Sequence, residues 1–244
     1  MKPVVILVSP QGDANVGGIA RLMANFDLSD LRIINPRCDL KSDLCRMMSL
    51  KAYPILEKAK IFSSLESAQR DLRWSFAFSA IELGQRESPS YELPEFIRTK
   101  LSSISLEEAW AFVFGREDRG LEREELAFCD GRIRIPSSND YDSLNLSSAV
   151  AVALSHWYAS AQSKKQSTSS RSDRPKKEDE EIFFEGLTKF LEHIGFLNLK
   201  TSKHILLDLR DMYHRAEPRA RDLRILFGIL ADLEYKFKKK FFRN

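Results

Sequence analysis

VVILVSPQGDANVGGIARLMANF, Val4 to Phe26, is the stretch on which the architecture turns. Val4 to Ser9 is apolar almost throughout with no alternation, which predicts a strand buried on both faces. After a short loop, Val16 to Phe26 carries apolar residues at helical spacing. LRIIN, Leu31 to Asn35, then returns to the strand pattern. Further along, WSFAFS (Trp74 to Ser79), AFVFG (Ala111 to Gly115) and RIRI (Arg132 to Ile135) repeat it, with helical patterns between. Continuous apolar strands separated by helices predict an α/β domain whose parallel sheet is covered on both sides.

The organisation changes near residue 162. Gln162 to Glu181, QSKKQSTSSRSDRPKKEDEE, holds no Val, Ile, Leu, Met or aromatic residue, so it is read as a flexible linker with nothing to bury. Beyond it the pattern is helical only. Glu178 to Gly195 has acidic residues in its first turn and a Gly at its end, as helix termini favour. Thr201 to Arg215 and Arg219 to Lys240 continue with apolar residues at helical spacing. The expected division is an α/β domain over 1–161, the linker over 162–181 and a small helical extension over 182–244.

The chain has 244 residues, 43% of them hydrophobic, enough for a sizeable core. Its net charge of +3 hides an asymmetry: residues 1–159 carry 19 basic and 22 acidic residues, residues 160–244 carry 19 and 13. A basic C-terminal part is compatible with a polyanionic partner, although solvated surface charge gives the same count. No apolar run approaches membrane-spanning length and MKPVVILVSP turns polar too soon for a signal peptide, so a cytoplasmic protein without membrane attachment is expected. Cys38, Cys45 and Cys129 form no CxxC pair, which supports neither a disulfide framework nor a zinc site.

Ligands of open α/β sheets sit beyond the carboxyl ends of the strands. The segments there are PQGDANVGGIAR after the first strand, Ser79-Ala80, GREDRGL (Gly115 to Leu121) and IPSSNDYDSLN (Ile135 to Asn145), all rich in small or polar residues. Gly12, Gly17 and Gly18 do not form GxGxxG. Gly115 to Gly120 lacks the Lys and Ser or Thr of a phosphate loop, and no Ser stands in GxSxG. His156, His193, His204 and His214 all fall in helical patterns away from the strand ends, and surface or capping positions are expected for them. No metal site is expected.

Taken together, N-x-G-x-x-x-R at Asn15 to Arg21, FGREDRGL at Phe114 to Leu121, and IP followed by SLNLSSAVA at Ser143 to Ala151 resemble the three motifs of the SPOUT methyltransferases of the SpoU branch. DLRDMYHRAEPRARDLRILFGIL, Asp208 to Leu230, resembles the helical extension of tRNA ribose methyltransferases in that branch. The resemblance implies a SPOUT-type parallel sheet with a C-terminal trefoil knot, an exception to unknotted topology. It implies transfer of a methyl group from S-adenosyl-L-methionine to a ribose 2′-oxygen of tRNA, at cytidine or uridine 32 of the anticodon loop, by a homodimer. Ser79, Ala80, Gly115, Ile135, Pro136 and Leu144 would hold the cofactor, and Arg21, Asn15, Glu117, Ser143 and Asn145 would form the catalytic set. Gly115, without a Cβ, would admit a ligand or a neighbouring chain segment against its backbone. RARDLRIL (Arg219 to Leu226) and the terminal KFKKKFFRN, together with Lys200 and Lys203, could grip the tRNA backbone through phosphate contacts, whereas Phe241 and Phe242 read as a frayed amphipathic helix end before they read as a base-stacking pair. One departure stands out: FSAIELGQR, Phe78 to Arg86, has Ile81 where the resemblance leads one to expect the first of two arginines. The alternatives are the same chemistry on another RNA such as rRNA, or an RNA-binding relative without turnover.

Overall fold

The computed structural model describes residues 2–79, 89–104, 108–138, 140, 143–163, 174–197 and 202–241. The expected strands form as β1 (Val4–Val8), β2 (Leu31–Ile34), β4 (Trp74–Phe78), β6 (Trp110–Phe114) and β7 (Gly131–Arg134). Two three-residue strands join them, β3 (Lys60–Phe62) and β5 (Ser90–Glu92). The sheet has seven strands in the order β3-β2-β1-β6-β4-β7-β5, every neighbouring pair parallel. The short strands are its edges, and each presents charged or polar residues to solvent, which discourages further pairing.

Helices α1 (Asp13–Asn25), α2 (Asp43–Ser49), α3 (Tyr53–Glu57), α4 (Leu65–Gln69), α5 (Leu93–Arg98), α6 (Lys100–Ser103), α7 (Arg123–Ala127) and α8 (Leu146–Ser163) connect and cover the strands. Successive strand residues face opposite sides. Val5, Leu7, Phe76, Phe78, Phe112 and Phe114 pack against α1, α5 and α8. Val4, Ile6, Val8, Ala77 and Val113 pack against α4 and α7. Each fully buried large side chain contributes roughly 1.5–3 kcal/mol. The close approach of α1 and α2 requires Gly17, where a Cβ would lie 2.5 Å from the Cys45 carbonyl oxygen.

The C-terminal helices are α9 (Lys177–His193), α10 (Ser202–Arg215) and α11 (Ala220–Phe241). Their own core comprises Phe183, Phe184, Phe190, Tyr213, Leu223 and Leu230. The end of the expected linker departs from its reading. Arg174, Lys177, Glu180 and Glu181 are buried, and α9 begins at Lys177. Charges bury here because they neutralise one another: Lys177 Nζ lies 3.0 Å from Asp130 and 3.2 Å from Glu180, and Arg174 pairs with Asp130. Two further ion pairs, Lys100 to Glu217 and Arg123 to Asp208, also tie the helices to the sheet domain. Among the described residues no helix is long and apolar enough to cross a membrane.

Candidate active site

The carboxyl ends of β4, β6 and β7 open into a cavity of about 300 Å³. Phe78 and Phe114, stacked with ring centroids 4.5 Å apart, belong to its apolar wall with Ile133, Ile135 and Leu146. Ser79, Ser143, Leu144, Ala149 and the whole of Gly115 to Leu121 supply the remainder. Leu144 is 40% exposed, so it is not core packing but an apolar side chain held at the cavity mouth.

The Gly115 to Leu121 loop is a tight reversal. Arg116 N donates to Gly120 O at 3.1 Å, Gly120 N donates back to Arg116 O at 3.0 Å, and Gly120 has φ +68, a region that favours glycine. A Cβ on Gly115 would lie 2.2 Å from the Gly120 carbonyl carbon. What approaches Gly115 is therefore the returning arm of its own loop.

The loop delivers Glu117 to the start of α1. Its carboxylate accepts from Gln11 N at 2.9 Å, Gly12 N at 3.0 Å and Asn15 Nδ2 at 3.0 Å. A carboxylate at a helix N-terminus satisfies backbone donors that the helix leaves unpaired and complements its dipole. This explains why α1 begins at Asp13, three residues before the apolar pattern does. Asn15 Oδ1 in turn accepts from Asn145 Nδ2 at 3.1 Å. Asn145 Oδ1 accepts from Ser147 N at 2.9 Å and Ser147 Oγ at 2.7 Å, capping α8. Glu117, Asn15 and Asn145, 130 residues apart in sequence at the extremes, thus form one connected chain at the edge of the cavity.

Arg21 is exposed, with no hydrogen bond or ion pair among the described residues. Its placement follows from two glycines. Gly17, one turn before it, packs on α2, and a Cβ on Gly18 would meet the Ser147 side chain at 3.9 Å. Arg21 therefore stands one turn beyond the contact between α1 and the start of α8. Of the other expected residues, Ser143 is exposed at the cavity rim and Pro136 is exposed outside the lining. Ala80, Ile81, Arg86, Lys200 and Phe242 lie outside the described residues, as do the side chains of Lys203 and Phe241.

Sequence reasoning missed Arg116, whose guanidinium is bound by Glu125 at 2.9 and 2.8 Å. A basic and an acidic residue nine positions apart give no periodic signal. Ser147 was legible only as part of a small-residue run.

His214 also departs from expectation. His156, His193 and His204 are exposed, but His214 is buried beside Asp130, 3.2 Å from Nδ1 to Oδ1. Burial, followed by the nearby Lys177, pushes its pKa down to about 3. Burial raises the Asp130 pKa, but Arg174, Lys177 and His214 together outweigh it and hold the carboxyl well below its ordinary range. Asp130, Glu180 and His214 present metal-ligating atoms within 4.8 Å of one another. The Lys177 ammonium already bridges both carboxylates, which is the position a bound cation would need.

Comparison with known proteins follows this geometry. Residues 2–155 match the family described as the SpoU rRNA methylase family, and residues 178–241 match the tRNA methyltransferase TrmJ C-terminal domain. A Methanocaldococcus jannaschii protein named tRNA (cytidine-2′-O-)-methyltransferase TrmJ is 37% identical over 155 residues, 63% of this chain and 66% of that one. A Pseudomonas aeruginosa protein named tRNA (cytidine/uridine/adenosine-2′-O-)-methyltransferase TrmJ is 32% identical over 240 residues, 94% of this chain and 93% of its own. The crystal structure of TrmJ from Z. mobilis superposes with a TM-score of 0.83 at 26% identity, covering 96% of this chain and 100% of that one.

Proposed function

The chain belongs to the SpoU rRNA methylase family, and on that premise we propose that it is a tRNA ribose 2′-O-methyltransferase dependent on S-adenosyl-L-methionine. The observation that carries the reading is the bonded chain Glu117–Asn15–Asn145 at the edge of the cavity beyond β4, β6 and β7. The cavity suits the cofactor. Its volume is at the lower end of small-molecule sites, its apolar walls match an adenine, and the loops around Gly115 and Ile135 bring backbone polar groups to its edge. Ser79, Gly115, Ile135 and Leu144 would hold it, with Ala80 and Pro136 continuing the same segments. The cofactor supplies an electrophilic methyl group on a sulfonium.

Displacement at that carbon is in line, so the chain must hold the ribose oxygen opposite the sulfur and help its proton leave. Arg21 is the group free to meet substrate. A guanidinium with a pKa above 12 is a poor base, so Arg21 donates hydrogen bonds to the forming alkoxide and the adjacent phosphate, and the proton passes to that phosphate or to water. Glu117 already accepts three hydrogen bonds, which suits it to orientation. It fixes Asn15, Asn15 fixes Asn145, and Asn145 holds the start of α8 with Ser143 beside the reacting centre.

We assign the acceptor to nucleotide 32 of the anticodon loop, and the chain between β7 and α8 to a trefoil knot. The basic C-terminal part, including exposed Arg219, Arg221 and Arg224, grips the tRNA backbone. The apolar faces of α1 and α8 are spent within one subunit. A homodimer would therefore rest on exposed Leu44, Met47, Met48 and Leu50 beside them. The test is transfer of labelled methyl from S-adenosyl-L-methionine to unmodified tRNA and, in parallel, rRNA, with the modified nucleotide mapped. Label at one anticodon-loop ribose is expected. Label on rRNA alone would replace the substrate, and cofactor binding with no transfer to either would leave an RNA-binding relative.

A further inference from the structure

The loop from Gly115 to Leu121 performs two tasks, walling the cavity and aiming Glu117, yet its two backbone hydrogen bonds fix only its neck. Something must fix its direction. Arg116 is half-buried, with only 9% of its side chain exposed, and its guanidinium does three things at once. It donates to both oxygens of Glu125 at 2.9 and 2.8 Å, and to Gly120 O at 3.3 Å. Glu125 is in turn fixed by accepting from Glu122 N at 2.8 Å, within the box of reciprocal bonds that caps α7. One planar group therefore joins the outgoing arm of the loop, its returning arm and the next helix.

Direction follows from chain geometry. The bridge between Arg116 and Gly120 leaves Glu117 as the first residue of the turn, so anchoring Arg116 toward α7 fixes the point from which Glu117 reaches the amides of Gln11 and Gly12. Arg116 also lines a second cavity, of about 230 Å³, that has Glu125 on its wall at the ends of β1 and β2. Arg116 thus stands on the walls of both cavities.

We propose that Arg116 and Glu125 are positioning residues that preset the Gly115–Leu121 loop in its cofactor-binding shape and, through it, the aim of Glu117. The proposal rests on the methyltransferase reading above. Neither residue need touch the reacting atoms. A bidentate fork is required, because a lysine ammonium cannot span both Glu125 oxygens and the Gly120 carbonyl together.

The test uses the full chain and two readouts: calorimetric binding of S-adenosylhomocysteine, and steady-state methyl transfer to tRNA. Wild-type protein must bind and transfer; failure there sinks the functional reading and not this one. Glu125→Gln keeps the shape and removes the charge, and Arg116→Lys keeps the charge and removes the fork. Each is expected to weaken S-adenosylhomocysteine binding by about tenfold, on the order of 1.4 kcal/mol. Each should also lower kcat, and the double variant should be little worse than either alone, because the two residues act as one unit. Thermal melts confirm that the proteins compared are folded at the assay temperature, and Arg123→Gln, on the exposed pair with Asp208, is the control expected to leave binding unchanged. Wild-type affinity and kcat in folded Glu125→Gln and Arg116→Lys would overturn the proposal. So would additive losses in the double variant.

Discussion

The sheet carries a polar network at each end of its strands, and the two are built on opposite principles. At the carboxyl ends the chain of Glu117, Asn15 and Asn145 is half-buried to exposed and mostly uncharged, and Arg21 on the same helix as Asn15 is exposed with no partner among the described residues. At the amino ends Asp130 is sealed with Arg174, Lys177, Glu180 and His214. It also accepts the Ser75 amide of β4 at 2.8 Å. The first network leaves bonding capacity for something that arrives. The second spends its charges on one another in joining the C-terminal helices to the sheet. A polar cluster is thus read for function by what it leaves unspent, because a buried charge without a partner is costly while an exposed one waits at little expense.

The sharpest way to break this comparison is at the unspent end. Arg21→Ala is expected to lower methyl transfer by about two to three orders of magnitude, the loss seen when a transition-state hydrogen-bond donor is removed. S-adenosylhomocysteine binding should hardly change, and near wild-type turnover would remove Arg21 from the mechanism. At the sealed end the effect falls on folding. Asp130→Ala leaves two buried cations, Arg174 and Lys177, to share the one carboxylate of Glu180, and should cost roughly 3–5 kcal/mol, read as a lower urea midpoint. A midpoint within error of wild type would show that the cluster is open to water.

A smaller effect separates the two ends by pH. The ordinary His pKa of 6.5 applies to His214 in the unfolded chain, against about 3 when folded. Between these values the unfolded state holds the extra proton, so this contribution is complete above pH 6.5 and is lost as pH falls toward 3, by at most about 1.4 kcal/mol per unit. Asp130, held low, contributes constantly above the ordinary carboxyl range. Glu180, raised by burial against the pull of Lys177, contributes in the opposite direction, losing stability as pH rises. The difference between wild type and His214→Gln isolates the histidine. From pH 6.5 to 4.5 the wild type should lose stability more steeply than the variant, and parallel curves would refute the buried neutral imidazole.

The same contrast explains what could be read beforehand. Val4–Val8 and Trp110–Phe114 announce themselves because every residue of a doubly covered strand is apolar. Lys60–Phe62 and Ser90–Glu92 do not, since a three-residue edge strand is defined by its neighbour's free backbone rather than by its own composition. Asn15, Glu117 and Asn145 are singled out only through the resemblance of their motifs to a family, and the structure joins them by hydrogen bonds. The fork of Arg116 and the capping of α8 through Ser147 needed coordinates. Arg174 and Lys177 were misread for a physical reason: hydropathy scores each charge alone, whereas burial depends on partners far off in sequence such as Asp130.

Trp74 lies at the junction between the two parts of the chain. Lys100 Nζ sits 4.0 Å from its ring and the Arg174 guanidinium carbon 3.8 Å. Lys100 pairs with Glu217 of the helical extension, and Arg174 leads into α9. An indole flanked by cations has its emission energy set by their field, so displacement of the helices would shift the colour of its fluorescence. The chain thus carries its own optical gauge of how its two parts are joined, readable in solution with no label attached.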